Sequence, residues 1–408
     1  MASAALKNSL WSVPLLVAAL GYFVDIYDLL LFGIVRVQSL QSLHLSEAQV
    51  TTEGMRIISY QMYGLLLGGI LWGVLGDKKG RLSVLFGSIV LYSVANIFNG
   101  FVQTSDAYAW CRFIAGIGLA GELGAGITLV SELVNKEQRG IATSLVAGIG
   151  LSGAVVAYFI SQSFDWRICY FIGGGLGLSL LFLRIRVYES GLYKKTQEST
   201  AVKGNFFMFF NNAHRFKTYM KAILIGLPTW YVIGILISFS NVFAKQMGIE
   251  EVVQPGKAIM YAYAAISIGD MLIGFVSQYF KSRKKAMWLF YAITVFAMLL
   301  FFALPIQHAS GMYAVCALLG FGTGFWAIFV TMAAEQFGTN LRATATTTIP
   351  NMVRGSLPLM LLLFTYLQDH TPYINAAIIT GIIVMTLSAI ALYFMKETFA
   401  RDLDFIEE

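Results

Sequence analysis

The sequence predicts an all-α integral membrane protein: twelve transmembrane helices in two pseudo-symmetric six-helix bundles, with both termini in the cytoplasm. Three observations carry this. Of 408 residues, 57% are hydrophobic and only 12% charged, about half the charged share of a soluble domain. Apolar runs of about 20 residues, the length of one helical crossing, recur along the whole chain. The two halves also echo each other. A soluble chain of this composition would expose more apolar surface than water tolerates, which excludes an ordinary soluble enzyme. The net charge of +6 sits in short clusters between apolar runs, so a nucleic-acid binder is excluded as well.

Apolar segments bounded by charge or turn residues fall at roughly 10–37, 51–76, 81–103, 107–134, 138–163 and 166–187. They resume at roughly 218–246, 254–281, 284–304, 308–336, 341–367 and 371–396. Between the two sets lies the one long polar interval, so the expected division is an N-terminal bundle over 1–187, a cytoplasmic linker over 188–217 and a C-terminal bundle over 218–408. The first run is too long for a signal-peptide core and lacks a small-residue cleavage site, so it reads as a retained helix. Cys111, Cys169 and Cys316 are odd in number and lie in or beside apolar runs, which writes neither a disulfide framework nor a CxxC metal site.

Lys and Arg set the orientation, because they collect on the cytoplasmic side. With the N-terminus inside, 21 of the 28 basic residues are cytoplasmic; the exceptions are Arg36, Arg56, Arg112, Arg167, Lys245, Lys257 and Arg354. His44, His308 and His370 fall in or beside outer loops and read as solvated.

The internal echo has three parts. Glu132 in span 4 precedes Arg139-Gly-Ile-Ala-Thr by seven residues, and Glu335 in span 10 precedes Arg342-Ala-Thr-Ala-Thr by seven. Gly68-Gly-Ile-Leu-Trp-Gly73 in span 2 matches Gly269-Asp-Met-Leu-Ile-Gly274 in span 8, with basic residues after both. Tyr188-Glu-Ser190 follows span 6 and Lys396-Glu-Thr398 follows span 12. Such repeats are the mark of transporters built from duplicated bundles.

Gly73-Val-Leu-Gly-Asp77-Lys-Lys-Gly80-Arg81 resembles the loop 2–3 signature of the major facilitator superfamily, and it lies where a six-plus-six topology needs it. Asp25-Ile-Tyr-Asp28 in span 1 and Arg112-Phe-Ile-Ala-Gly116 with Gly121-Glu122 in span 4 resemble the metabolite:proton symporters of that superfamily. The Glu-Ser and Glu-Thr endings are similar to that branch and to its sugar porters. Span 5 has no proline, a departure from the Gly-Pro motif of the superfamily's drug:proton antiporters. The resemblance implies that an acid of span 1 and the Arg of span 4 form the coupling pair, here Asp25 or Asp28 with Arg112. It also implies an inner gate of Asp77, Arg81, Glu132 and Arg139, with Glu335 and Arg342 as the weaker counterpart. Paired charges there would release as the bundles rock.

Charges inside a bilayer cost roughly 2.5–3.5 kcal/mol each on insertion scales, so each needs a reason. Asp25 and Asp28 are three residues apart and share a helical stripe with Gly21, Phe32 and Arg36. A carboxyl in low dielectric holds its proton more tightly until a cation approaches, which is how an arginine could switch a proton site. By a rise of about 1.5 Å per residue, Glu122 lies level with Asp25, and Arg112 sits about 9 Å above Asp28. Glu122 is therefore a third candidate for the proton, with Arg112 then a gate.

Span 11 carries Pro350, Asn351, Arg354 and Pro358. Pro358 cannot donate the hydrogen bond that the Arg354 carbonyl would accept, so the helix is weakened at the arginine. Broken helices near the midplane are where transporters bind substrate, and a guanidinium there can grip a carboxylate at two points. The competing reading of Arg354 is a fixed bridge to Asp270 at similar depth. Trp230, Tyr231, Trp326, Tyr60 and Tyr63 are candidate cavity residues, the alternative for each being a core or lipid-facing aromatic. Gly116-x-Gly118-x-x-Gly121 matches a dinucleotide fingerprint only formally, because no strand precedes it; small residues at this spacing let membrane helices approach closely.

The expected function is proton-coupled import of a small polar metabolite, an organic anion or zwitterion bearing a carboxylate, by rocking of the two bundles. The alternatives are export of a metabolite, drug or carboxylate-type metallophore by proton exchange, and a transport-dead sensor. HExxH, GxSxG and Walker motifs do not occur, so no enzyme is expected. The expected setting is the bacterial inner membrane, with the lipid bilayer and a small-molecule substrate as partners. The chain reads as a monomer with no metal and no cofactor, protons being the coupling ion.

Overall fold

A computed structural model describes residues 13–79, 81–121, 146–189 and 206–399, with side chains for all of these except 13–15, 76–83, 85, 186–189, 339–340 and 343. Among the described residues every regular element is helical. The first six spans are α1 (Val13–Ser42), α2 (Glu47–Lys79), α3 (Arg81–Asn99), α4 (Ser105–Leu119), α5 (Gly153–Ser163) and α6 (Trp166–Glu189). Span 7 is α7 (Ala213–Tyr231), a π-turn (Val232–Ile237) and α8 (Ser240–Gln246); spans 8 and 9 are α9 (Pro255–Phe280) and α10 (Arg283–Ala303). Span 10 is α11 (Ala309–Thr323) with α12 (Trp326–Ala334), span 11 is α13 (Thr339–Gly355) with α14 (Leu357–Gln368), and span 12 is α15 (Tyr373–Phe394).

Helices overrun the apolar segments at several ends. α1 has 30 residues, about 45 Å at 1.5 Å per residue, against a hydrocarbon core of about 30 Å, so it either tilts or projects into the headgroups. Small residues draw α2 and α4 together. A Cβ on Gly64 would stand 2.1 Å from the Phe113 carbonyl oxygen, and one on Gly116 2.3 Å from that of Gln61. The glycines of span 4 therefore serve helix packing.

The C-terminal half contains three interrupted spans, each with a local cause. Pro228 lacks the N–H that would bond the Leu224 carbonyl; Ser388 of α15 supplies that bond instead, at 2.7 Å. The helix then loosens into the π-turn. In span 10 the α-helix stops at Thr323 and restarts at Trp326, where Gly324 lies against Gly269 of α9 so closely that a Cβ would fall 2.8 Å from its Cα. In span 11 the break is at Ser356, one residue before Leu357-Pro358, with the Ser356 N–H turned back to the Val353 carbonyl at 3.3 Å.

The bundles meet along α2 with α13, α5 with α9 and α1 with α9. Hydrogen bonds reinforce the contact between the bundles: Ser267 Oγ of α9 donates to the Gly148 carbonyl of span 5 at 2.8 Å, and Asn351 Nδ2 of α13 donates to the Ala120 carbonyl at the end of α4 at 2.9 Å.

Candidate functional site

Each bundle holds a cluster of buried polar groups. In the N-terminal half, Arg112 Nη1 donates to Asp28 Oδ1 at 3.0 Å and to Asn96 Oδ1 at 2.8 Å, and its Nη2 reaches the Asp28 carbonyl at 3.4 Å. The Arg112 guanidinium stands 5.3 Å over the Tyr170 ring, and both members of the ion pair are fully shielded from solvent. The depth count that put Arg112 about 9 Å above Asp28 is corrected: it ignored helix tilt and the length of the arginine side chain. Asn96 and Tyr170, neither visible as site residues in the sequence, complete the setting.

Asp25 points elsewhere. It is fully buried and within electrostatic range of Tyr22 and Tyr263, and those same tyrosines are within range of Arg354. Tyr22 also senses Asp270. The two acids of span 1 therefore serve different neighbourhoods: Asp28 faces α4 and Asp25 faces the C-terminal bundle.

In that bundle the three helix interruptions converge. Trp230 precedes the π-turn, Trp326 opens α12 and Arg354 sits in the last turn of α13. The guanidinium carbon of Arg354 lies 6.0 Å from the Trp230 ring and 5.8 Å from the Trp326 ring, within cation–π range. Arg354 is 1% exposed. Among the described residues its Nε and Nη1 have no hydrogen-bond partner, and neither do the indole nitrogens of Trp230 and Trp326. Four donors thus stand buried and unmatched around one charge, a costly arrangement unless an acceptor arrives.

The fixed bridge to Asp270 is absent: among the described residues, no carboxylate lies within ion-pair distance of Arg354. Asp270 has another task. Its Oδ1 accepts from the Ala327 N–H at 2.8 Å, satisfying one of the open donors at the start of α12 and fixing the half-helix that carries Trp326. Asp270 Oδ2 has no partner among the described residues.

Several expected cavity residues lie elsewhere. Tyr231 is fully buried and donates to the Ala377 carbonyl at 2.6 Å, a core contact between spans 7 and 12. Tyr60 packs edge-on against Trp110 at 5.5 Å beside Arg56, and Tyr63 is 40% exposed, on the outside of the bundle. Successive helical residues point about 100° apart, so the helix's rotation about its axis decides such cases, and the sequence does not fix that rotation. Asn351 spends its amide on the Ala120 and Thr347 carbonyls, leaving only Oδ1 unmatched.

At the cytoplasmic end, Glu335 does not pair with Arg342. It takes a two-point grip from Arg283 at the start of α10, both contacts at 2.6 Å, while Arg342 Nη2 donates to the Phe337 carbonyl at 3.3 Å. The carboxylate of Glu397 caps the same helix, accepting from Ser282 Oγ and from the N–H groups of Arg283 and Lys284 at 3.0 and 3.2 Å. Burial tends to raise the Glu397 pKa, but these bonds and that from Phe399 outweigh it and hold the carboxyl below its ordinary range. Glu122, Glu132 and Arg139 lie outside the described residues, as do the side chains of Asp77 and Arg81.

Residues 18–359 match the family profile described as Major Facilitator Superfamily. The chain is similar to the niacin transporter NiaP of Acinetobacter baylyi, at 24% identity over 96% of this chain and 95% of that protein. It is 25% identical to the gentisate transporter of Corynebacterium glutamicum, over 80% of this chain and 75% of that one. Among solved structures, the proton:xylose symporter XylE superposes with a TM-score of 0.69 at 16% identity, covering 96% of this chain and 97% of that chain; the likeness is one of fold.

Proposed function

Because the chain belongs to the major facilitator superfamily, we propose that this multi-pass membrane transporter imports a small aromatic carboxylate together with protons. The single observation that carries the substrate class is Arg354, a buried guanidinium with unmatched donors between two indole rings whose N–H groups are also unmatched. A carboxylate supplies the missing acceptor oxygens, and charge-assisted bonds to it are roughly twice as strong as neutral ones. The indoles offer flat apolar faces to a ring. Niacin and gentisate, named in the two relatives, are both aromatic rings bearing a carboxylate.

The proton is assigned to the carboxyls of span 1. In this conformation Asp28 is engaged by Arg112, so Asp25, which faces the same space as Arg354, is the group placed to exchange a proton as substrate comes and goes. The inner gate is assigned to Asp77, Arg81, Glu132 and Arg139, and the bacterial inner membrane is the proposed location. Uptake into proteoliposomes tests the reading. An inward proton gradient should drive accumulation of labelled nicotinate or gentisate but not of xylose or an aromatic amine. Accumulation of the sugar or the amine instead would overturn it.

A further inference from the structure

Away from the central site, a second buried arginine lacks a counter-ion among the described residues. Arg36 lies on α1, eight residues beyond Asp28 and about 12 Å toward the outer end, and it is fully buried. Its Nη2 donates to the Ser238 carbonyl at 2.9 Å and to Asn241 Oδ1 at 3.0 Å, and its guanidinium lies 4.3 Å over the Phe239 ring. All three belong to span 7, so the contact ties the N-terminal bundle to the C-terminal one. The local backbone explains the acceptor. Ser238 ends the π-turn, its own N–H and Oγ both donating back to Ile233 at 3.0 and 2.7 Å, and its carbonyl stands at a helix end where no following turn claims it.

Every partner of Arg36 among the described residues is neutral. Among the described residues no carboxylate lies within ion-pair distance of it; the surface acid Glu47 of α2 is committed to Lys245 at 2.7 Å, another bond between the bundles. Arg36 Nε and Nη1 have no partner among the described residues, and the Tyr373 hydroxyl, within electrostatic range of the guanidinium, has none there either. Neutral acceptors offset only part of the cost of burying a permanent charge, and a carboxylate, accepting at two points, would satisfy it better. We propose that Arg36 is a carboxylate-binding station in the outer closure: it bolts α1 to span 7 while the outer side is shut, and the arriving substrate anion draws it off Ser238 and Asn241 as that side opens.

This inference rests on the carboxylate reading of the substrate, and its test separates the two. Ile34 lines the seam beside Arg36, where a Cβ on Gly256 of α9 would fall 2.9 Å from its carbonyl oxygen. A cysteine placed there by Ile34→Cys should react with a membrane-impermeant thiol reagent only when the seam parts, the protein without that change giving the background from Cys111, Cys169 and Cys316. Benzoate should speed the labelling at least threefold, while the uncharged benzamide should leave it unchanged. The benzoate response should persist when Arg354→Gln removes the central anchor. With Arg36→Gln, labelling should be fast without ligand and insensitive to benzoate. Should that variant fail to fold, Asn241→Ala and Arg36→Lys serve in its place: the first should raise basal labelling and keep the response, the second should keep the response. A benzoate response that survives Arg36→Gln, or one that disappears with Arg354→Gln while Arg36 is intact, would overturn the station. Absence of any response would overturn it too, and Arg354-dependent thermal stabilisation by benzoate in the same samples would show whether the carboxylate reading stands without it.

Discussion

Asp28 and Arg112 meet at 3.0 Å with neither side chain exposed to solvent, joining span 1 to span 4 through a charge pair that Asn96 and Tyr170 enclose. A pair so placed contributes less to net stability than its geometry suggests, because desolvation offsets the attraction, but removing one partner strands the other.

Arg112→Gln should therefore lower stability by about 3–5 kcal/mol, and Asp28→Asn by a similar amount, while the double variant recovers much of the loss. Thermal melts of the four proteins in detergent form the cycle. Additive losses would mean that the two charges do not act as a unit.

Asp25 faces the C-terminal bundle, so its neutralisation should separate coupling from binding. Asp25→Asn should abolish gradient-driven accumulation while exchange of internal for external substrate continues within about threefold of the parent, as expected for a group that carries the proton and not the ligand. Unchanged accumulation would move the proton to Asp28 or Glu122.

Asp270 holds the start of α12 and through it Trp326. Asp270→Ala should cost about 1–2 kcal/mol of stability, the size of a lost helix cap, and weaken substrate binding by displacing Trp326. Combining it with Arg354→Ala should restore nothing. Recovery in that double variant would show the two residues to be ion-pair partners.

Glu397 has a carboxyl held below its ordinary range by the hydrogen bonds that cap α10. A depressed pKa gives stability that is present above the unfolded value, about 4.3, and is lost as pH falls through the lower folded value. Melting temperature should thus fall more steeply between about pH 5 and pH 3 in the parent than in Glu397→Gln. Parallel curves would exclude a contribution from this cap.

The sequence displayed the spans, the repeat and the unusual residues of span 11, because crossing length, apolar content and a proline beside a charge are local properties. It also marked Trp230, Trp326 and Arg354, each in a segment with a helix breaker nearby. What it could not display was rotation and tilt. Tyr231 and Trp230 are neighbours in the chain, yet one bonds Ala377 in the core and the other flanks Arg354. Tyr22, Tyr263 and Asn96 had no local signal, since their importance lies in what other helices bring to them. Arg36 had one: it stood on the same stripe as Asp25 and Asp28, but its partners in span 7 are 202 and 205 residues away. Glu335 likewise met Arg283, and not the Arg342 that the repeat suggested.

Arg354 is the test of the whole account. Binding of benzoate and of benzamide should be measured by calorimetry on purified protein and on Arg354→Lys, which keeps the charge but loses the planar fork. The parent should bind benzoate and discriminate strongly against benzamide. Arg354→Lys should lose about 1.5–3 kcal/mol of benzoate binding, roughly tenfold or more in affinity, with the fold retained. Equal binding of benzoate by the two proteins, or equal binding of benzoate and benzamide by the parent, would contradict the assignment of Arg354 as the anchor of a substrate carboxylate.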